Sequence, residues 1–148
     1  MRRFLSLCFA LSIFLNQTNC RAGNTLKIQV DGLRNNNGHV VALLFNTKKG
    51  YPDKVQHALQ HAIVPINQHA AELTFSLLPV GQFVVSVFHD ENQDRRLNRG
   101  LFGRPLEGVG VSNNIRGRFG PPKYENCIIQ LNSPEQTIAI SLHYRDQH

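Results

Sequence analysis

The sequence predicts an all-β domain, an antiparallel β-sandwich of about seven strands with one long, ordered loop. Apolar and polar residues alternate along several short segments, which is the pattern of strands that bury one face. Glycine, asparagine and proline separate these segments, as they do in turns. No segment carries the period of a long amphipathic helix. Many short strands without long helices pack as two sheets.

Two strands are predicted at the start of the domain, at Leu26–Asp31 and Val40–Asn46. In the first, Leu26, Ile28 and Val30 alternate with polar residues, so one face is buried. In the second, both faces are apolar, as in a central strand. Because a turn rich in Asn and Gly joins the two, we predict that they form a hairpin.

The next segment, residues 47–66, is interpreted as a short helical turn followed by a strand. Asp53 is placed to cap the turn, which would end near Leu59. Pro65 lies in the strand "AIVPI" and has no N–H to donate, so this strand is expected at a sheet edge.

Four further strands complete the predicted sandwich. "ELTFSLL" and "FVVSVF" flank the turn Pro79–Gly81, and we predict that they form a second hairpin. "CIIQL" and "TIAISLHY" follow near the C-terminus. Cys127, in the first of these, is interpreted as a buried strand residue.

The segment from Glu91 to about Lys123 has almost no strand or helix pattern. It contains six glycines and three prolines, yet also several large apolar residues. A loop of about thirty residues is unusual in a compact domain and is commonly functional or disordered. The apolar residues indicate that this one packs against the domain, and we expect function to reside in it.

Residues 1–22 are predicted to be a signal peptide. Arg2 and Arg3 precede the 12-residue apolar run "FLSLCFALSIFL", which is shorter than the roughly 20 residues that span a bilayer. Cleavage after Ala22 would leave a single domain, residues 23–148, without a transmembrane span. We expect an exported protein, periplasmic or extracellular.

Charge and cysteine content agree with export. The formal net charge is +6, but three of the sixteen cations lie in the signal segment, which leaves thirteen against ten acids, or +3. This balance does not indicate a nucleic-acid partner. Cys127 would be the single thiol of the mature chain, so no internal disulfide is expected.

Several motifs together resemble a known family. They are "GLRNNNGHVVALLFN", "LPVGQFVVSVFHDEN", "LFGRPLEGVGVSNN" and "GRFGPPKYENC". The chain resembles, from about Leu26 to Tyr144, the bacterial exported family known as domain of unknown function 2141. The resemblance implies a small exported β domain and no known activity. After "HDEN" that family commonly has a turn glycine and a later acid, which Gln93–Asn98 replaces. A more distant likeness to transthyretin-like and carboxypeptidase-regulatory-like sandwiches concerns the fold alone.

The stretch "DENQDRRLN" has part of the spacing of a calcium loop. Four residues stand at its positions 1, 3, 5 and 9: Asp90, Asn92, Asp94 and Asn98. However, Arg95 replaces the glycine of position 6, and Leu101 replaces the bidentate glutamate of position 12. The alternative is a polar turn in which Asp90 and Asn92 accept hydrogen bonds from loop amides. Apart from calcium, we expect no cofactor.

His89 and Asp90 are adjacent, which raises acid–base chemistry of a hydrolase kind. Neighbours on a strand point to opposite faces, so a direct couple is not expected. We predict instead that His89 buries its ring at the rim of the sheet and binds a loop carbonyl.

The loop also concentrates positive charge in six arginines: Arg95, Arg96, Arg99, Arg104, Arg116 and Arg118. With His89, they are candidate contacts for an anionic glycan, a lipid head group or an acidic protein. The alternative is solvated loop charge, partly paired with Asp90, Glu91 or Asp94.

We therefore expect a non-enzymatic binding or cell-envelope accessory module whose recognition surface is the Glu91–Lys123 loop. The alternatives are an enzyme, hydrolase-like, that uses His89 and Asp90, and a purely structural envelope protein with a weak calcium site.

Overall fold

The computed structural model describes residues 23–145, so the predicted signal peptide at residues 1–22 lies outside the described residues. Eight strands run through the described part of the chain: β1 Asn24–Asp31, β2 His39–Phe45, β3 Gln60–Pro65, β4 Ala71–Leu78, β5 Gly81–Asp90, β6 Val109–Val111, β7 Ile129–Leu131 and β8 Glu135–Ser141. Short 3₁₀ helices lie at Val55–His57, Leu101–Gly103, Ser112–Asn114 and Tyr124–Cys127. Among residues 23–145, no helix is long and apolar enough to cross a membrane.

The strands form two packed sheets, which confirms the predicted all-β sandwich. One sheet has the order β4-β1-β8, and the other has the order β3-β2-β5-β6, with β7 also paired to β5. One pairing departs from the antiparallel pattern, because β1 and β8 run parallel, with Ile28 opposite Ile138. The parallel pair places the last strand beside the first, with Asp31 opposite Ser141.

Both predicted hairpins are wrong. β1 pairs with β4 and β8, whereas β2 pairs with β3 and β5, and β4 and β5 likewise lie in different sheets. Alternation shows which face of a strand is buried, but it does not name the neighbouring strand. The connection after β1 crosses between the sheets through Gly32 and Gly38, both with positive φ. A Cβ at Gly38 would collide with the Asp90 carbonyl, so the close approach requires glycine there.

The helical turn before β3 is not capped as the sequence predicted. The 3₁₀ helix Val55–His57 follows Lys54 without a side-chain cap, so the prediction that Asp53 caps this turn is wrong. Asp53 binds Arg99 of the long loop instead. The predicted edge position of the strand that contains Pro65 is confirmed, because β3 has β2 as its one sheet partner in the described chain.

The five-stranded sheet is buried on both faces. One apolar cluster fills the space between the sheets and includes Leu26, Val40 and Phe75. A second cluster, which includes Val41, Phe45 and Phe88, lies under the segment between β5 and β7. Burial on both sides explains why β2 is apolar at every position after His39. The long loop is therefore a packed layer over the sheet, as its apolar residues predicted, and it contains the short strand β6.

Candidate functional site

The turn after β5 is organised around a buried carboxylate. Asp90 is fully buried, and its oxygens accept hydrogen bonds from the backbone N–H groups of Asp94 at 3.1 Å and Arg95 at 2.8 Å. Asn92 Oδ1 accepts a third bond, from the Asp94 N–H at 3.3 Å. These contacts are those of the predicted polar turn.

Asp94 carries the outer half of the same turn. It accepts hydrogen bonds from the Arg96 N–H at 2.8 Å and from the side-chain amides of Asn98 at 3.0 Å and Asn92 at 3.1 Å. The hydrogen bond from the Asn98 side-chain amide, followed by the Arg96 and Asn92 contacts, holds the pKa of Asp94 below its usual value. The structure therefore brings together all four residues proposed for calcium, and amide groups occupy most of their oxygens.

Two buried oxygens of this turn have no hydrogen-bond partner in the described chain, Asn98 Oδ1 and Glu91 Oε1, and the second of these forms an ion pair with Arg34. Across residues 23–145, no group of three or more His, Cys, Asp or Glu side chains is placed to hold a metal ion. Calcium binding by Asp90, Asn92, Asp94 and Asn98 stays a prediction.

A second buried carboxylate, which the sequence analysis did not select, holds the far end of the turn. Glu107 accepts hydrogen bonds from the backbone N–H groups of Glu91 at 3.2 Å and Asn98 at 3.0 Å. Burial raises its pKa, and the nearby Asp90 and Asp94 charges add to that effect, against the two hydrogen bonds. Asp90 and Glu107 thus position residues 91–98 from below.

His89 is a buried side chain with both ring nitrogens occupied. Nε2 lies 2.7 Å from the Asn37 carbonyl, and Nδ1 lies 2.6 Å from the hydroxyl of Tyr144. A carbonyl only accepts, so Nε2 carries a proton and donates to the Asn37 carbonyl. The prediction that His89 buries its ring and binds a loop carbonyl is confirmed. Neither His89 nor Asp90 has exposed surface, and they bind different partners.

An ion pair closes over this histidine. Arg34 lies with Nη2 2.6 Å from Glu91 Oε1, and its guanidinium stacks 4.7 Å from the centroid of the Tyr144 ring. Burial is the main cause that raises the pKa of Tyr144. The His89 neighbourhood is therefore a polar network that ties the end of β5 to the end of the described chain.

The six loop arginines are not equivalent. Arg99 binds Asp53 through two nitrogens, at 2.7 and 3.3 Å, and also donates to the Gly103 carbonyl. The expected pairs with Asp90, Glu91 and Asp94 are not among the ion pairs of the described residues. The other five arginines are exposed and form no ion pair within residues 23–145: Arg95, Arg96, Arg104, Arg116 and Arg118.

A cleft opens between two parts of the long loop. Its floor consists of Phe88, Val109 and Val111, from the outer face of the sheet. One wall is the loop segment 97–105, the other is the segment 115–122, and the cavity volume is about 80 Å³. Leu97, Pro105, Ile115 and Pro121 make these walls largely apolar, and Arg99 and Arg104 belong to one of them.

One end of the cleft is cationic. His143 and Arg145 line it, and His143 also lines an adjoining cavity of about 240 Å³ together with Arg116. Burial lowers the pKa of His143, and the charges of Arg116 and Arg145 lower it further. Neither Arg116 nor Arg145 forms an ion pair with a carboxylate in the described chain, although Arg145 donates to the Gly117 carbonyl at 3.1 Å. We name this group, Arg116, His143 and Arg145, the cationic end.

The sequence analysis selected Arg116 but missed His143 and Arg145. The signal was weak, because His143 alternates with apolar residues in the last strand segment and resembles an ordinary outward-facing residue. The main chain after β8 places it opposite Val109 through paired backbone hydrogen bonds of 2.9 and 3.0 Å. That pairing, between residues distant in sequence, brings the histidine to the cleft.

Comparison with known proteins gives one match. The family model described as "Uncharacterized protein conserved in bacteria (DUF2141)" matches residues 28–139. A search of curated proteins finds no match, and a search of solved structures finds none either.

Proposed function

This chain belongs to the bacterial family of uncharacterized proteins DUF2141, and we propose that it is a non-enzymatic binding module. Its ligand is a small molecule with an apolar group and an anionic group, held in the cleft of the long loop. The family description names no activity, so the proposal is supported by the cleft rather than by the family. The predicted signal peptide supports a place of action in the periplasm or outside the cell.

The observation that carries this proposal is the contact between an apolar floor and the cationic end. Binding pockets are mostly apolar and carry a few polar groups that orient the ligand. Phe88, Val109 and Val111 supply the apolar surface. The two guanidiniums lie beside a half-buried imidazole whose pKa they lower, so their charges are not neutralised there. An anion bound between them would relieve this repulsion.

The enzyme alternative has less support. A general acid or base must come within hydrogen-bond reach of a substrate. His89 and Asp90 are both fully buried, and their polar atoms already bind Asn37, Tyr144 and the turn amides. A substrate reaches neither side chain in this conformation.

A ligand series tests the proposal with the chain from Gly23 onward, which contains both sheets and both apolar clusters. Hexyl phosphate combines the two groups, hexanol has the apolar group alone, and inorganic phosphate has the anion alone. A ligand that binds only the folded state raises its stability, by about 2.7 kcal/mol at a concentration one hundred times Kd. We expect hexyl phosphate to raise the melting temperature more than either partial ligand.

Matched variants assign the effect to the cleft. Arg116→Gln and Arg145→Gln should each reduce the shift by hexyl phosphate, because they remove charge at the cationic end. Arg95→Gln removes an exposed charge from the turn after β5 and should leave the shift unchanged. Equal shifts in all three variants, or no difference between hexyl phosphate and inorganic phosphate, would contradict the proposal.

A further inference from the structure

Three large apolar side chains of the long loop stand in solvent, and two of them, Phe102 and Phe119, line the cleft. Phe102 is 96% exposed, Phe119 is 90% exposed and Leu101 is 84% exposed. Phe102 and Phe119 line the same cleft, on segments that are separate in sequence. Single exposed apolar residues are ordinary, but a group of them at one place marks an interaction site. We name Leu101, Phe102 and Phe119 the apolar tips.

The backbone at Phe102 has an unusual conformation that its neighbours stabilise. Phe102 has a φ of 58°, which is the left-handed region that bulky residues rarely adopt. Gly103 follows with a φ of 70°, and the Arg99 side chain donates to its carbonyl. Arg99 is itself tied to Asp53, so the tip is braced against the segment before β3. These contacts brace the backbone beside Phe102, whose ring is exposed.

The surroundings of the tips are positively charged. The loop segments 99–106 and 115–122 contain four arginines and no acidic residue. Arg104 lies two residues after Phe102, and the Arg118 guanidinium stacks 5.4 Å from the centroid of the Phe119 ring. Neither Arg104 nor Arg118 forms an ion pair within the described residues. Phe102 and Phe119 are therefore each accompanied by a guanidinium that forms no ion pair within the described residues.

We propose that the apolar tips insert into the surface of an anionic lipid bilayer, with Arg104 and Arg118 at the level of the lipid phosphates. Aromatic and Leu side chains beside basic residues are typical of surfaces that lie in a membrane interface. A guanidinium matches a phosphate through two parallel hydrogen bonds. The tips lie on two loop segments that contain arginines and no acidic residue, which suits an anionic lipid surface. The cleft would then open toward the bilayer. This inference does not depend on the ligand proposed above.

Vesicle sedimentation tests the inference with the chain from Gly23 onward. The vesicles are phosphatidylcholine alone and phosphatidylcholine with phosphatidylglycerol. We expect binding to the mixed vesicles, weak binding to the neutral ones, and a marked loss of binding at high salt, since charge attraction is screened. The double variant Phe102→Ser/Phe119→Ser should bind at least about tenfold more weakly, because both inserted rings are lost. Its melting temperature should equal that of the wild type, because both rings are already in solvent.

Two controls separate insertion from general adhesion. Val80→Ser removes an exposed apolar residue (66% exposed) from the turn before β5, and it should bind like the wild type. Arg95→Gln/Arg96→Gln and Arg104→Gln/Arg118→Gln change the net charge equally, but only the second pair lies beside the tips. The inference is overturned if phosphatidylglycerol does not increase binding, or if each control variant loses as much binding as its counterpart at the tips. Vesicle binding is measured without hexyl phosphate, and the ligand series is measured without vesicles, so failure of one idea is distinguishable from failure of the other.

Discussion

Replacing Asp90 by alanine should destabilise the domain through the turn after β5. Asp90 is fully buried, and it holds the N–H groups of Asp94 and Arg95 at 3.1 and 2.8 Å. A hydrogen bond to a charged group contributes about 1.5–3 kcal/mol. Asp94 and Arg95 are exposed, so water replaces part of what is lost. We therefore expect the free energy of unfolding to fall by about 2–4 kcal/mol.

The assay is thermal or urea unfolding of the chain from Gly23 onward, with calcium and with a chelator. For a domain of this size the expected loss lowers the melting temperature by roughly 10 °C. Asp90→Asn keeps the shape and one acceptor oxygen, so it should lie between wild type and Asp90→Ala. Asp94→Ala removes the exposed half of the turn and should have a smaller effect than Asp90→Ala.

The two hypotheses for the turn after β5, a calcium site and a hydrogen-bonded turn, predict different responses to calcium. If Asp90, Asn92, Asp94 and Asn98 bind the ion, calcium raises the melting temperature of the wild type, and Asp90→Ala abolishes that rise. If the stretch is a hydrogen-bonded turn, Asp90→Ala lowers the melting temperature equally with calcium and with chelator. A loss below about 0.5 kcal/mol in both conditions would refute the reasoning from the buried carboxylate altogether.

Three further predictions concern buried or half-buried titratable groups. Burial raises the pKa of Glu107, so the folded state binds its proton more tightly than the unfolded state does. The free energy of unfolding should therefore fall as pH rises from the usual glutamate pKa through the raised one. Unfolding curves of Glu107→Gln at several pH values should lack this dependence. The pKa of His143 is lowered, so its contribution to stability is lost as pH falls from the usual histidine pKa through the lowered one. NMR titration should show Arg116→Gln raising the His143 pKa, and an unchanged value would exclude the charge coupling. Burial raises the pKa of the Cys127 thiol, so a thiol reagent should label it only as fast as the domain opens, and rapid labelling of the folded protein would contradict its burial.

Local patterns predicted the strands and the polar turn well. The contacts of Asp90, Asn92 and Asp94 reach two to five residues along the chain, so the sequence spacing already contains them. The burial of His89 followed from its place at the end of an apolar strand. Pro65 predicted an edge strand because its missing N–H is a local fact.

Strand partners were less predictable. β1 and β2 are neighbours in sequence but belong to different sheets, and β1 pairs with β8 from the far end of the domain. Alternation of apolar and polar residues is satisfied by any pairing that buries the same face. The choice among pairings depends on the packing of the whole sandwich, which no short window contains.

The sequence by itself determined the class of fold, the edge position of β3, the burial of His89 and the hydrogen-bonded turn after it, because each depends on residues close together in the chain. Only the tertiary structure decided which strands are partners and which loop arginine is paired with a carboxylate. It alone brought Glu107 beneath the turn, His143 and Arg145 to the cleft, and Phe102 opposite Phe119. These contacts join residues distant in sequence, and they exist only after both faces of the central sheet have been covered.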